Sequence, residues 1–166
     1  NTSVDVLAKK IAQLGIKVIR IGNVTRIDDE IAHLTLDEQA RNHKDWGHIK
    51  KVKIESEEAR KSAGQYKRSF GSEERRNRGL MYKEARELSK WARNLEERLI
   101  QSIIDECQVI CTTLIGSSHS YINDLRFETV IIDEASQASE PECWNAILKG
   151  KRVILAGDHK QLPPTV

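Results

Sequence analysis

In the first fourteen residues the apolar positions Val4, Leu7, Ile11 and Leu14 recur in steps of three and four. That spacing predicts one face of a helix. Asn1-Thr2-Ser3-Val4-Asp5 supplies capping residues before it, and Gly15 is a stop signal after it. Ile16 to Ile21 reads IKVIRI and alternates, which predicts a half-buried strand. The chain thus opens as a helix feeding a strand, half of an α/β unit. Gly22 to Arg26 reads as a turn ending in a basic residue. Between Asp28 and Leu36 the pattern is mixed, and from Ala40 to Lys53 it is polar with Trp46 as the large anchor, so no element is assigned there. From Glu74 onward Met81, Ala85, Leu88, Ala92, Leu95, Leu99 and Ile103 keep steps of four and three, a narrow seam along a long helix. Such a seam needs a partner helix. Ile54 to Tyr66 is the expected second arm of a hairpin, with its turn near Ser69 to Ser72. Val109 to Thr113 returns to strand, and Thr112 to Ser118 comes next as a loop of hydroxyls and glycine.

The pattern changes again at Val130, Ile131 and Ile132, an apolar β-branched run without alternation. It predicts a strand of a parallel sheet, buried on both faces. Asp133 and Glu134 follow at its carboxyl end, where open α/β sheets bind ligands. Pro141 suits the first turn of a helix that ends near Lys149-Gly150. A second apolar run, Val153 to Ala156, leads to Gly157 and Asp158. Two strands are therefore expected to aim polar groups at one crevice. Phosphoryl transfer is the chemistry that uses this: one carboxylate holds Mg²⁺, directly or through water, and its neighbour orients or deprotonates the attacking water. A bare Asp-Glu pair also occurs as a solvated strand end, and the dipeptide alone does not separate the two readings.

Charge adds one feature. The net charge of +2 hides 17 Lys and Arg against 12 Asp and Glu between Arg41 and Glu106, with the remainder of the chain acidic. The basic middle would suit a phosphate backbone, and equally a solvated helical surface. Cys107, Cys111 and Cys143 form no Cys-x2-Cys pair, and the five histidines no His-x3-His pair, so reduced cysteines near the core are expected rather than zinc or a disulfide. No run approaches the roughly 18 apolar residues of a membrane span, and no signal peptide is recognised. The expectation is a soluble intracellular protein, cytoplasmic or, in a eukaryote, nuclear.

The stretches Asp133-Glu134-Ala135-Ser136-Gln137-Ala138, Glu140-Pro141-Glu142-Cys143 and Leu155 to Pro164 (LAGDHKQLPP) resemble motifs II and III of superfamily 1 helicases. The likeness is to the 5′-to-3′ subclass that contains the nonsense-mediated-decay and immunoglobulin-mu-binding-protein helicases and their bacterial relatives. Asn1, Val4 and Asp5 match motif Ia of those helicases, Ser3 standing where the family has alanine. Gly22 to Arg26 resembles the family segment Leu-Gly-x-x-x-Arg, and the loop Thr112 to Ser118 resembles motif Ic.

The resemblance implies a partial RecA-like P-loop NTPase fold, α/β, with residues 1–40 and 107–166 forming the core and 41–106 a helical insertion beside the nucleic-acid channel. It implies ATP and Mg²⁺ as cofactors. Asp133 would coordinate the metal, Glu134 would position the hydrolytic water, and Gln161 would sense the γ-phosphate and relay its state. Asp158 and His159 would shape that loop, and Pro163 and Pro164 would stiffen the segment beyond it. Asn1, Arg26, Thr112 and Thr113 become contacts to the backbone of single-stranded DNA or RNA. The chain contains no Gly-x4-Gly-Lys-Ser/Thr: the position five before Gly150 is Asn145, and Arg152 stands where Ser or Thr belongs. The resemblance therefore describes the middle of a first motor domain, from motif Ia to motif III. Its phosphate-loop segment and second RecA-like domain would lie elsewhere in the same helicase, and the isolated chain is expected to be inactive. Two other classes are weighed against this. A nucleic-acid-binding adaptor with a relic ATPase site need not retain Asp133, Glu134 and Gln161 together. A metal-dependent nuclease using Asp133, Glu134 and Asp158 would want a further ligand at recognisable spacing.

Overall fold

The computed structural model describes residues 2–22, 29–65, 71–158 and 160–161. Their contacts divide the chain into two units, one of Asn1–Thr35 with Cys107–Val166 and the other of Leu36–Glu106. The fold is mixed α/β, small parallel strand pairs with extensive helical insertion, in keeping with a partial RecA-like P-loop fold.

In the first unit α1 spans Thr2–Gln13. It stops because Gly15 adopts φ +79°, the left-handed conformation a glycine takes without strain, and donates its N–H to the Ala12 carbonyl at 2.9 Å. The buried face differs from the one expected. Asp5 and Ala8 are buried with Val4, Ile11 and Ala12 beside them, whereas Leu7 and Leu14 are exposed. The helix is turned so that a carboxylate, not a leucine, faces inward.

The reason lies in β1, Val18–Arg20, whose three residues are all buried. Arg20 is buried with its charge met: its Nε donates to Asp5 Oδ1 at 2.8 Å, and Nη1 donates to the Ile21 carbonyl. β1 pairs in parallel with β2, Val109–Cys111, in the register Val18 to Val109 and Arg20 to Cys111. Ala8, Val18, Cys111 and Ile31 and Leu34 from the 3-10 turn Asp29–Leu34 form the core here. Burial pushes the Cys111 thiol above its ordinary pKa, with the Arg20 charge opposing it. Cys107, Cys111 and Cys143 are free thiols.

The second parallel pair is β3, Phe127–Ile132, with β4, Gly150–Leu155, in the register Ile131 to Ile154 and Ile132 to Leu155. Parallel neighbours need a crossover, and α5, Glu140–Ile147, makes it, with Pro141 in its first turn and Ser139 at its cap position. The chain between β2 and α5 is held by Lys149, whose buried ammonium donates to the Asn123 carbonyl at 2.5 Å and to the Ile122 carbonyl at 3.4 Å. The expected burial of β3 on both faces does not hold: Ile132 is 4% exposed, but Ile131 is 65% exposed and the face it shares with Ile154, 47% exposed, is open.

The second unit is helical. α2 spans Leu36–Arg41, α3 Trp46–Gly64 and α4 Ser72–Glu106. At 1.5 Å per residue α4 is about 50 Å long. α3 begins well before the expected Ile54, and it runs antiparallel to α4: Ile49 packs with Leu99, Ser56 donates to the Ala85 carbonyl at 3.2 Å, and Gly64 lies near Tyr82. Ala85, Ala92 and Leu99 of the seam are buried. Lys53 bonds Glu96 at 2.7 Å and lies over the Trp46 ring. Of the expected turn near Ser69 to Ser72, Ser69 and Phe70 lie outside the described residues and Ser72 opens α4. Among the described residues no helix is long and apolar enough to cross a membrane.

Candidate functional site

Because β3 and β4 run in parallel, their carboxyl ends deliver two loops to one edge. The ladder continues past the strands: Ala156 N–H donates to the Ile132 carbonyl at 2.9 Å, and Ala135 N–H to the Ala156 carbonyl at 2.8 Å. Gly157 permits this closeness. A Cβ there would lie 2.9 Å from the Ser136 nitrogen and 3.1 Å from that of Ala135. Ser136 Oγ completes the seam by donating to the Asp158 carbonyl at 3.0 Å.

Asp133 and Glu134 leave β3 at this edge, both exposed. Glu134 N–H donates to Asp133 Oδ1 at 3.1 Å. Glu134 adopts φ 54°, ψ 36°, and among the described residues it is the one non-glycine at positive φ. The left-handed conformation costs a side-chain-bearing residue about 1 to 2 kcal/mol. Such outliers cluster at active sites and ligand clamps. From the β4 side, Asp158 Oδ1 accepts the Lys160 N–H at 2.9 Å and its carbonyl accepts the Gln161 N–H at 3.1 Å, a tight turn that carries Gln161 back toward β3. There Gln137 meets it. Gln137 Nε2 donates to Gln161 Oε1 at 2.6 Å and to Glu134 Oε2 at 3.4 Å.

The four residues expected at the nucleotide, Asp133, Glu134, Asp158 and Gln161, thus come together in one hydrogen-bonded edge. Asp133 also borders a cleft of about 330 Å³ with Ser3, Val6, Leu7 and Lys10 of α1, which brings one cation and a short apolar stripe before the carboxylate. Thr112 and Thr113 stand at the end of the other parallel pair. Thr113 Oγ1 accepts the Gly116 N–H at 3.0 Å, while Thr112 Oγ1 is buried, has no hydrogen-bond partner among the described residues and lies where a Cβ on Gly116 would fall. Asn1, Arg26, His159, Pro163 and Pro164 lie outside the described residues. Sequence reasoning gave no role to Gln137, Ser136 or Arg20. Gln137 stands inside the Asp-Glu motif, but its bonds depend on a loop twenty-four residues on, which no local pattern reveals.

Chemically, the edge offers two exposed hard-oxygen donors, an amide whose acceptor end is engaged, and a backbone held in a strained conformation. Comparison with known proteins gives this arrangement its context. A family model described as AAA domain matches residues 1–166. DNA polymerase alpha-associated DNA helicase A of Schizosaccharomyces pombe is 35% identical over 166 residues, covering 100% of this chain and 24% of that protein. ATP-dependent helicase upf1 of the same yeast is 34% identical over 170 residues, 100% of this chain and 16% of that protein. ATP-dependent helicase NAM7 of Saccharomyces cerevisiae is 36% identical over 171 residues, 100% of this chain and 15% of that protein. The chain spans about a quarter or less of the length of these relatives. With the whole of its length matched, the chain belongs to the AAA-domain family and is superfamily-1-like, similar throughout to a segment of ATP-dependent helicases.

Proposed function

We propose that this chain is the middle of the first motor domain of an ATP-driven helicase or single-stranded nucleic-acid translocase of the 5′-to-3′ subclass. Residues 1–40 and 107–166 belong to its RecA-like core, and 41–106 are an insertion beside the nucleic-acid channel. One observation carries the reading: Asp133, Glu134 and Gln161 meet at one parallel-strand edge, with Glu134 held in a left-handed conformation.

Asp133 is the metal-holding residue. The donors fit, since exposed carboxylates are hard oxygen ligands, and Mg²⁺ keeps several waters and shares its coordination with substrate phosphates rather than requiring an all-protein cage. When bound with ATP, Mg²⁺ would neutralise charge developing on the β- and γ-phosphates. Glu134 orients or deprotonates the attacking water, and its backbone N–H braces Asp133. Gln161 donates to the γ-phosphate. Asp158 shapes the loop that carries Gln161 through its bond to the Lys160 N–H. Asn1, Arg26, Thr112 and Thr113 contact the backbone of single-stranded DNA or RNA. The phosphate-loop segment and the second RecA-like domain come from the rest of the protein, which works in the cytoplasm or, in a eukaryote, the nucleus.

The test is ATP turnover with and without a single-stranded oligonucleotide, alongside nucleotide binding, in the full-length protein. Glu134→Gln should still bind ATP while hydrolysis falls roughly 10²- to 10⁴-fold, the usual contribution of a general base. Asp133→Ala should weaken Mg-ATP binding itself, because it removes the metal's carboxylate. Gln161→Ala should bind ATP but lose stimulation by the oligonucleotide. Hydrolysis by Glu134→Gln at the parent rate would overturn the reading.

A further inference from the structure

Gln137 is exposed, and its side-chain amide spans the two loops of the site. One Nε2 group carries two hydrogens. It donates to Gln161 Oε1 at 2.6 Å and reaches Glu134 Oε2 at 3.4 Å. Its backbone N–H donates to the Glu134 carbonyl at 3.0 Å, so the short 3-10 turn Ala135–Gln137 fixes it relative to Glu134. We propose that Gln137 is the positioning residue that links the water-orienting carboxylate to the phosphate-sensing amide. The inference rests on the roles assigned above to Glu134 and Gln161.

The donor and acceptor inventory has three consequences. First, engaging Gln161 Oε1 settles which way that amide faces: its NH₂ end is the one left to donate to a phosphate oxygen. A reversed Gln161 would present its oxygen to the phosphate and repel it. Second, the N–H directed at Glu134 Oε2 holds the carboxylate by one oxygen and leaves Oε1 to accept from a water. Third, the two bonds share one nitrogen, so a shift of Gln161 toward or away from a γ-phosphate pulls on the same amide that steadies Glu134. The Ser136 to Asp158 bond and the Ala135 to Ala156 bond join the loops by their backbones. Gln137 is where the joint reaches the side chains.

The experiment uses the full-length protein with ATP and a single-stranded oligonucleotide. Gln137→Leu keeps bulk and removes both bonds, while Gln137→Glu keeps shape and replaces the donor by an acceptor beside Glu134. Both should lower kcat with the KM for ATP unchanged, by roughly 3- to 10-fold for Gln137→Leu, the value of about one ordinary hydrogen bond, and by more for Gln137→Glu. Stimulation by the oligonucleotide should fall in parallel. In the Gln161→Ala background, Gln137→Leu should cause little further loss of stimulation, because residues that act as a unit are not additive. Thermal unfolding should be unchanged for this exposed position. Parent-like kcat and stimulation in both variants, or losses that multiply with those of Gln161→Ala, would overturn the proposal. Glu134→Gln is the control that separates the two levels: if it abolishes hydrolysis while the Gln137 variants behave as parent, only the coupling is wrong, and if it hydrolyses normally the assigned site is wrong with it.

Discussion

Asp5→Ala would strip the carboxylate from the Arg20 guanidinium inside the contact between α1 and β1. Arg20 is 4% exposed and Asp5 6%, and Nε lies 2.8 Å from Oδ1. The guanidinium also donates to the Ile21 carbonyl, a dipole rather than a charge. Removing one member of a buried pair costs about 3 to 5 kcal/mol, chiefly because the survivor is left buried and unpaired. Taking both away, as Asp5→Ala with Arg20→Met, removes the charge as well as its partner and should recover much of the loss. The readout is amide hydrogen exchange of residues 18–20 in the full-length protein, since exchange reports local opening. At roughly 1.4 kcal/mol per tenfold, protection should fall by about two to four decades in Asp5→Ala and by markedly less in the double variant. A loss under tenfold in the single variant, or a double variant no better protected, would show that the pair is solvated and that Arg20 does not hold α1 against β1.

Two further outcomes rest on the same kind of geometry. Gly157→Ala should weaken both the fold and ATP turnover, because its Cβ would meet the backbone nitrogens of Ser136 and Ala135 at 2.9 and 3.1 Å; overpacking of this kind costs about 1 to 3 kcal/mol, and a parent-like unfolding midpoint with parent-like turnover would refute it. The 166 residues made alone should associate, since Ile131, Ile154 and Leu155 are 65%, 47% and 61% exposed and β4 is paired on one side among the described residues; sedimentation as a cooperatively unfolding monomer would contradict this.

Much of the α/β framework was legible because it rests on local signals. A glycine stop, a proline at a first turn and two β-branched runs placed α1, α5, β3 and β4 correctly. The parallel pairing was legible because the two runs stand a helix apart. The hidden features depended on distant partners. IKVIRI reads as a half-buried strand, yet all three residues of β1 are buried, Arg20 among them because Asp5 lies on a helix packed against it, and a carboxylate fifteen residues upstream leaves no periodic trace. Leu7 and Leu14 fit a helical stripe, but the stripe that buries is set by Ala8 and Asp5. The first two turns of α3 are hard to read because their buried positions are Ile49 and Val52 alone, too sparse an apolar signal among Lys50, Lys51 and Lys53. The acidic edge was legible as a motif. Its internal wiring was not, because hydrogen bonds between two loops belong to tertiary structure.

That wiring bears on why a glutamate occupies a left-handed position at all. Glycine at residue 134 would take φ 54° freely, and the chain instead carries a side chain there at a cost of about 1 to 2 kcal/mol. The strain is sustained from outside the residue: Asp133 Oδ1 takes its N–H, Gln137 N–H binds its carbonyl, and Ala156 takes the N–H of the next residue. Two of these three partners sit on the β3 loop and the third on the β4 loop. Whatever moves the β4 loop therefore releases part of the bracing that holds Glu134 out of an ordinary conformation. In the proposed motor the β4 loop carries the residue that meets the γ-phosphate, so the carboxylate's geometry and the presence of that phosphate are tied through the same few hydrogen bonds.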